Sequence, residues 1–174
     1  MSDSVTIRQA LDRACRTVTL RPERGQRTYR SVATIGNGTQ CHVEEGDRSL
    51  TLDVVKALGG ADAGPTPSMV LRAALSGCVA IGVKQFAAWR DIQVDGVEVV
   101  LETDIDARGQ LGVRDDIAPG FLGIRLAISI RTSAPQAEIE DVVAASLRCS
   151  PLMDVFQNPQ AIEHKVSILE TDTA

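Results

Sequence analysis

A chain of 174 residues fits one domain, or one domain with an appended terminal segment, and can bury a core without disulfide or metal staples. The apolar share is 44%, but there are only three Phe, one Tyr and one Trp, so the interior must be built from Ala, Val, Leu and Ile. A net charge of −5 argues against nucleic acid as a partner, because phosphate binding needs a concentrated basic face.

In chain order, Ser4 is placed to cap a first helix, along which Ile7, Leu11, Ala14 and Cys15 recur at helical spacing. Arg8, Asp12, Arg13 and Arg16 occupy its other face. Pro22 ends the helix by about Leu20. The following RPERGQRTYR stretch (21–30) is the only basic cluster and reads as a solvated linker, with nucleic acid a poor second. Three strands follow: YRSVATI, TQCHVEE and RSLTLDVV, separated by the turn sequences GNG and GD, which predict an antiparallel meander. KALGGADAGPTPS is a glycine- and proline-punctuated loop.

A long helix is then expected from about Ser68. Met69, Val70, Leu71, Leu75, Val79, Ile81, Val83 and Phe86 cover nearly all its sides, and a helix apolar all round must be buried all round. Ala73, Ala74, Ser76, Gly77, Ala80 and Gly82 let another backbone approach closely. So short a chain does not supply a full surround, and a second subunit is the economical source. Two long strands follow. In the first, Val97, Val99, Leu101, Thr103 and Ile105 share a face; in the second, Ile124, Leu126, Ile128 and Ile130 do. A helix begins with Pro135 at its first position and is interrupted at Pro151. LMDVFQNP forms a short helix, and AIEHKVSIL is read as a last strand. The order is α+β, without the βαβ alternation of a doubly wound sheet.

No N-terminal stretch has the apolar core of a secretory leader, and Arg72 and Lys84 interrupt the best candidate for a membrane span. A soluble, cytoplasmic protein is expected, with no membrane partner. In a reducing compartment Cys15, Cys41, Cys78 and Cys149 do not pair as structural disulfides. They lack CxxC spacing, and with only His42 and His164 a zinc cluster is unconvincing. Cys41 and His42 point to opposite faces of a strand, so both read as structural. Cys15 reads as packing, and His164 as the exposed side of the last strand. The acidic DIDARG and VRDD segments lack calcium-loop spacing and read as solvated strand ends. Cys78 has two readings: a small core side chain, or a reactive thiol.

The run PSMVLRAALSGC, the DARGQLG after a long strand, and CSPLMDVFQNP near the end resemble the OsmC/Ohr family, the osmotically inducible protein C and organic hydroperoxide resistance proteins. The resemblance spans roughly residues 30–169. It divides the chain into an N-terminal helix and linker (1–28) and an OsmC-like domain (29–174). It implies an intertwined homodimer in which antiparallel sheets from both chains wrap buried central helices. It also implies a thiol peroxidase that reduces organic hydroperoxides without metal, flavin or other cofactor. In that family the cysteine on the buried helix attacks the peroxide, a downstream cysteine resolves the sulfenic acid as a disulfide, and a thiol or dithiol reduces it. By motif position Cys78 matches the attacking cysteine and Cys149 is the candidate resolving one.

The sequence departs from the family pattern at three points. Ser68 and Met69 stand where a glutamate is expected about ten residues before the cysteine. The IGNGTQ turn carries no arginine. Aligned on Pro151, Ser150 takes the resolving position and Cys149 lies one residue earlier, about 100° away on a helix. Two functions follow: a peroxidase working through Cys78 and Cys149, or a non-catalytic dimer holding a small hydrophobic or electrophilic ligand in its inter-subunit cleft.

Overall fold

The computed structural model describes residues 3–169. Helix α1 runs Asp3–Leu20 and is followed by a 3₁₀ turn at Pro22–Gly25. Strands β1 (Val32–Ile35), β2 (Cys41–Glu45) and β3 (Arg48–Leu52) form an antiparallel meander in which Cys41 pairs with Ile35 on one side and Leu52 on the other. Helix α2 runs Pro67–Trp89. Strands β4 (Gly96–Asp104) and β5 (Gly123–Arg131) pair antiparallel from Gly96–Arg131 to Asp104–Gly123, with the short α3 (Ala107–Gln110) between them. Helices α4 (Gln136–Arg148) and α5 (Pro151–Gln157) follow.

The meander, the long helix, the strand pair and the split C-terminal helices match the sequence reading. The arrangement is α+β, with one antiparallel three-stranded sheet and one antiparallel strand pair. Boundaries move slightly. Ser4 lies inside α1 rather than capping it. The N-cap of α2 is Thr66, whose hydroxyl accepts from the Met69 N–H at 3.3 Å, which makes Pro67 rather than Ser68 the first helical residue. Pro135 is likewise the N-cap of α4 rather than its first residue.

One expectation is corrected. The 161–169 segment forms no strand: Ile162, Val166, Ile168 and Leu169 are each more than three-quarters exposed, and no strand among the described residues pairs with them. His164 is exposed, but not on a strand. Alternation establishes that a segment can pair; it does not supply the neighbour. Within the single chain α2 is buried on one side, in keeping with the expectation that one chain does not supply its full surround. Leu75, Val79, Val83, Ala87 and Ala88 are closed off, whereas Met69, Leu71 and Ile81 are 54%, 43% and 61% exposed. By length and mean hydropathy (1.3) α2 could cross a membrane, but it is packed against α1, α4, α5 and β4.

The core lies between α2, α4 and the β4–β5 pair. Val83, Ala87, Val94 and Val142 form its centre, with Phe86, Ile92, Val97, Ile130, Ile139 and Val143 packed around them. Each fully buried valine contributes roughly 1.5–3 kcal/mol relative to exposure. Gly82 sets the closeness of α2 and α4: a Cβ there would lie 2.4 Å from Ser146 Oγ. Gly77, by contrast, faces open space. Lys84, the charge within α2, turns its ammonium to donate to the Val94 carbonyl. The meander stands apart from the helical packing, with Ile35 and Leu50 exposed.

Helix α1 docks on the C-terminal end of α2. Trp89 Nε1 donates to Asp12 at 2.9 Å, and Arg8 pairs with Asp91 at 2.7 Å.

Candidate functional site

Cys78 lies in the middle of α2, half-buried, on the side facing the α4–α5 junction. That junction exists because α4 stops at Arg148, Cys149 caps its C-terminus, and Pro151 cannot continue the helical hydrogen bonding. Ser150 is therefore the N-cap of α5, and its Oγ accepts from the Met153 N–H at 3.3 Å. The same Oγ lies 3.2 Å from Cys78 Sγ. With its oxygen accepting from the helix amide, the Ser150 O–H is free to donate to sulfur, and a thiolate at Cys78 can only accept. Successive hydrogen bonds polarise one another, so the capping bond strengthens the hydroxyl as a donor.

The structure brings Cys78 and Ser150 together, and Ser150 is buried. It does not bring Cys149 to Cys78: Cys149 is exposed, and all four cysteines are free thiols. Cys15 is half-buried on α1 and Cys41 half-buried on β2. His42 points to the opposite face from Cys41, where Nε2 meets Glu44 Oε1 at 3.3 Å. Above the Cys78–Ser150 contact, one helical turn along both helices, Gly82 faces Ser146. The Ser146 hydroxyl is buried and has no hydrogen-bond partner among the described residues. Met69 is exposed on α2, and no hydrogen bond or ion pair joins a cation to Cys78 among the described residues.

Asp53 gives no signal in the sequence. Its carboxylate is buried at the end of β3, accepting from Thr39 Oγ1 (2.7 Å) and from the backbone N–H groups of Val54, Ala61 and Ala63 (2.8, 3.0 and 3.1 Å). The Thr39 hydroxyl and then the amides hold its pKa down at about 2. This ring explains the GGADAGP loop. The chain folds so tightly around the carboxylate that a Cβ at Gly60 would sit 2.0 Å from the Val54 oxygen, and one at Gly64 2.2 Å from the Thr51 oxygen. The loop delivers Thr66 and Pro67 to the start of α2, so Asp53 fixes where the Cys78 helix begins. A lone aspartate at a strand end looks solvated in sequence; only the folded loop reveals it as buried.

The acidic segments are ion-paired surface. Arg125 reaches across the strand pair to both Asp104 and Glu102, Arg108 pairs with Asp106, and Arg114 with Asp116. Among the described residues no cluster of three or more His, Cys, Asp or Glu side chains is positioned to hold a metal ion.

The sequence profile of the OsmC-like protein family matches residues 59–165. No curated protein matches the sequence significantly. Among solved structures, an OsmC-like protein from Mycoplasma pneumoniae superposes with a TM-score of 0.65 at 16% identity, over 77% of this chain and 90% of that one. An organic hydroperoxide resistance protein from Elizabethkingia anophelis gives 0.56 at 21% identity, covering 77% and 91%. One from Legionella pneumophila gives 0.51 at 22% identity, covering 76% and 90%.

Proposed function

The chain belongs to the OsmC-like protein family, and from that premise we propose that it is a thiol-dependent peroxidase acting on organic hydroperoxides through Cys78. The observation that carries the reading is the 3.2 Å contact between Cys78 Sγ and the buried, helix-capping Ser150 Oγ. Two of the proteins it resembles in fold are named for organic hydroperoxide resistance.

The Cys78 thiolate attacks the terminal oxygen of ROOH. The O–O bond breaks heterolytically, sulfur gains OH as a sulfenic acid, and the departing alkoxide takes a proton from water to become an alcohol. Ser150 donates its hydrogen bond to the attacking thiolate and holds it toward the α4–α5 junction. It cannot complete a disulfide, because it offers oxygen where a resolving residue needs sulfur. A first external thiol therefore condenses with the sulfenic acid and expels water, and a second releases Cys78 as the thiol. A dithiol supplies both. Cys149 enters the cycle as resolving residue only when the α4–α5 junction turns to bring it inward.

The working unit proposed is a homodimer. The open face of α2, with Met69, Leu71, Ile81 and Gly77, is too apolar for water and too small-residued to need distance from a neighbour. The unpaired 161–169 segment and the detached meander supply further apolar surface for a second copy. The same cleft sustains the competing reading, a binding role for a small hydrophobic or electrophilic ligand. The exposed Met69 in place of a carboxylate favours that reading.

The deciding experiment is steady-state consumption of cumene hydroperoxide with dihydrolipoamide as reductant. Wild type and Cys149→Ser should both turn over, and Cys78→Ser should not. Loss in Cys149→Ser alone would make Cys149 part of the cycle. Turnover by none of the three would leave the binding role.

A further inference from the structure

The charge of this chain is unevenly distributed. The first thirty residues hold seven arginines against three acids, whereas the rest holds eleven basic and twenty acidic residues. On α1, Arg13, Arg16, Thr17 and Leu20 follow i, i+3, i+4, i+7 spacing and so share one face. The 3₁₀ turn folds back on α1, where a Cβ at Gly25 would lie 3.7 Å from Val18, and adds Arg21 and Arg24. Together the six line one open groove of about 350 Å³. The size is that of a small-ligand site rather than a track for an extended chain.

None of the four guanidiniums is neutralised. No carboxylate lines the groove, and among the described residues no ion pair or hydrogen bond reaches the guanidinium of Arg13, Arg16, Arg21 or Arg24; the bonds from Thr17 and Arg27 to Arg13 and Arg24 end on backbone carbonyls. Two acids near α1 are used elsewhere: Asp12 accepts from Trp89, and Asp91 holds Arg8; Glu23, in the 3₁₀ turn, does not line the groove and makes no ion pair with its arginines among the described residues. The helix is thus anchored to α2 by one side while its arginines are presented on another. Four like charges around one small space repel one another, and an anion that bridges them relieves that repulsion. Guanidinium forks match phosphate oxygens in pairs, which a compact anion with several phosphates exploits best.

We infer that this groove is a binding site for a compact polyphosphate-class anion, either free or as the phosphate tail of a nucleotide. A nucleic acid strand is disfavoured because beyond the groove it would run onto an acidic body. The site is independent of Cys78 and of the peroxidase reading.

Calorimetric titration of the full chain with sodium tripolyphosphate at low ionic strength tests it, with ATP as a second ligand to distinguish a nucleotide tail from the free anion. Saturable binding at one per chain is expected, weakening as salt rises. Arg16→Gln with Arg21→Gln should weaken it about tenfold or more, since each charge-assisted bond contributes measurably. Arg48→Gln with Lys56→Gln, which removes the same charge from the acidic body, should leave it intact. Thermal melts verify that both double variants are folded, and α1 keeps its Arg8 and Asp12 anchors in each. No saturable binding, or equal loss in both double variants, overturns the inference. So does salt-sensitive self-association that the Arg16/Arg21 pair alone abolishes, which would make a second copy the occupant. Tighter, groove-dependent binding of an oligonucleotide than of tripolyphosphate would overturn it in favour of nucleic acid.

Discussion

Replacing Ser150 by Cys should convert the oxidation product of Cys78 from a sulfenic acid to an intramolecular disulfide. The wild-type contact is 3.2 Å between Sγ and Oγ across a sequence separation of 72. A sulfur at that oxygen's position needs to close only about 1 Å to reach the S–S bond length. Cross-linking a loop of that length removes about 4 kcal/mol of chain entropy from the unfolded state, which for a chain of this size raises Tm by roughly 10 °C. The assay has two readouts after one equivalent of cumene hydroperoxide: intact mass, and a thermal melt with and without reductant. In Ser150→Cys the mass should fall by two hydrogens and the melt should shift upward, reversibly with dithiol. In wild type the product should carry one added oxygen, trapped by dimedone. If Ser150→Cys also stops at the sulfenic acid, with no reductant-dependent melt, the side chains of 78 and 150 do not face one another and the site as drawn is wrong.

Asp53 governs the acid limb of stability. Its pKa is lowered to about 2 by the Thr39 hydroxyl and the loop amides, so its contribution is fully present above the usual carboxylate value near 3.8 and is lost as pH falls toward 2. Melts of Asp53→Asn across pH 2–7 should show a lower Tm at neutrality and a flatter acid limb; parallel limbs would refute the carboxylate-centred loop. Ile81→Glu puts a charge on the open face of α2, where Ile81 is 61% exposed in the single chain and costs its own subunit little. Light scattering should find a dimer for wild type and monomer or aggregate for the variant. A wild-type monomer, or an unaffected variant dimer, would remove α2 from the interface.

Much of this architecture was legible in the residues because each element carries its own period. Alternation in 97–103 and 124–130 gave the strand pair, and Pro22, Pro67 and Pro151 gave the helix limits to within a residue. The last strand is where the reading failed: 161–169 alternates like a strand, but alternation does not supply a neighbour, whereas the one-sided burial of α2 agrees with a chain too short to surround it. At the site, alignment on Pro151 put Ser150 rather than Cys149 at the resolving position, and the contact with Cys78 is its geometric counterpart. Asp53 was silent because its partners are backbone amides, which no sequence pattern displays. The RPERGQRTYR stretch looked like a linker, and only the fold-back of the 3₁₀ turn on α1 brings its Arg21 and Arg24 into a groove with Arg13 and Arg16.

The account turns on which of four free thiols reacts. Substoichiometric cumene hydroperoxide followed by dimedone and residue-resolved peptide mapping answers that directly. The label should fall on Cys78 and leave Cys15, Cys41 and the exposed Cys149 unmodified. Label on Cys149, or spread in proportion to exposure, would contradict the assignment of Cys78 as the reacting sulfur.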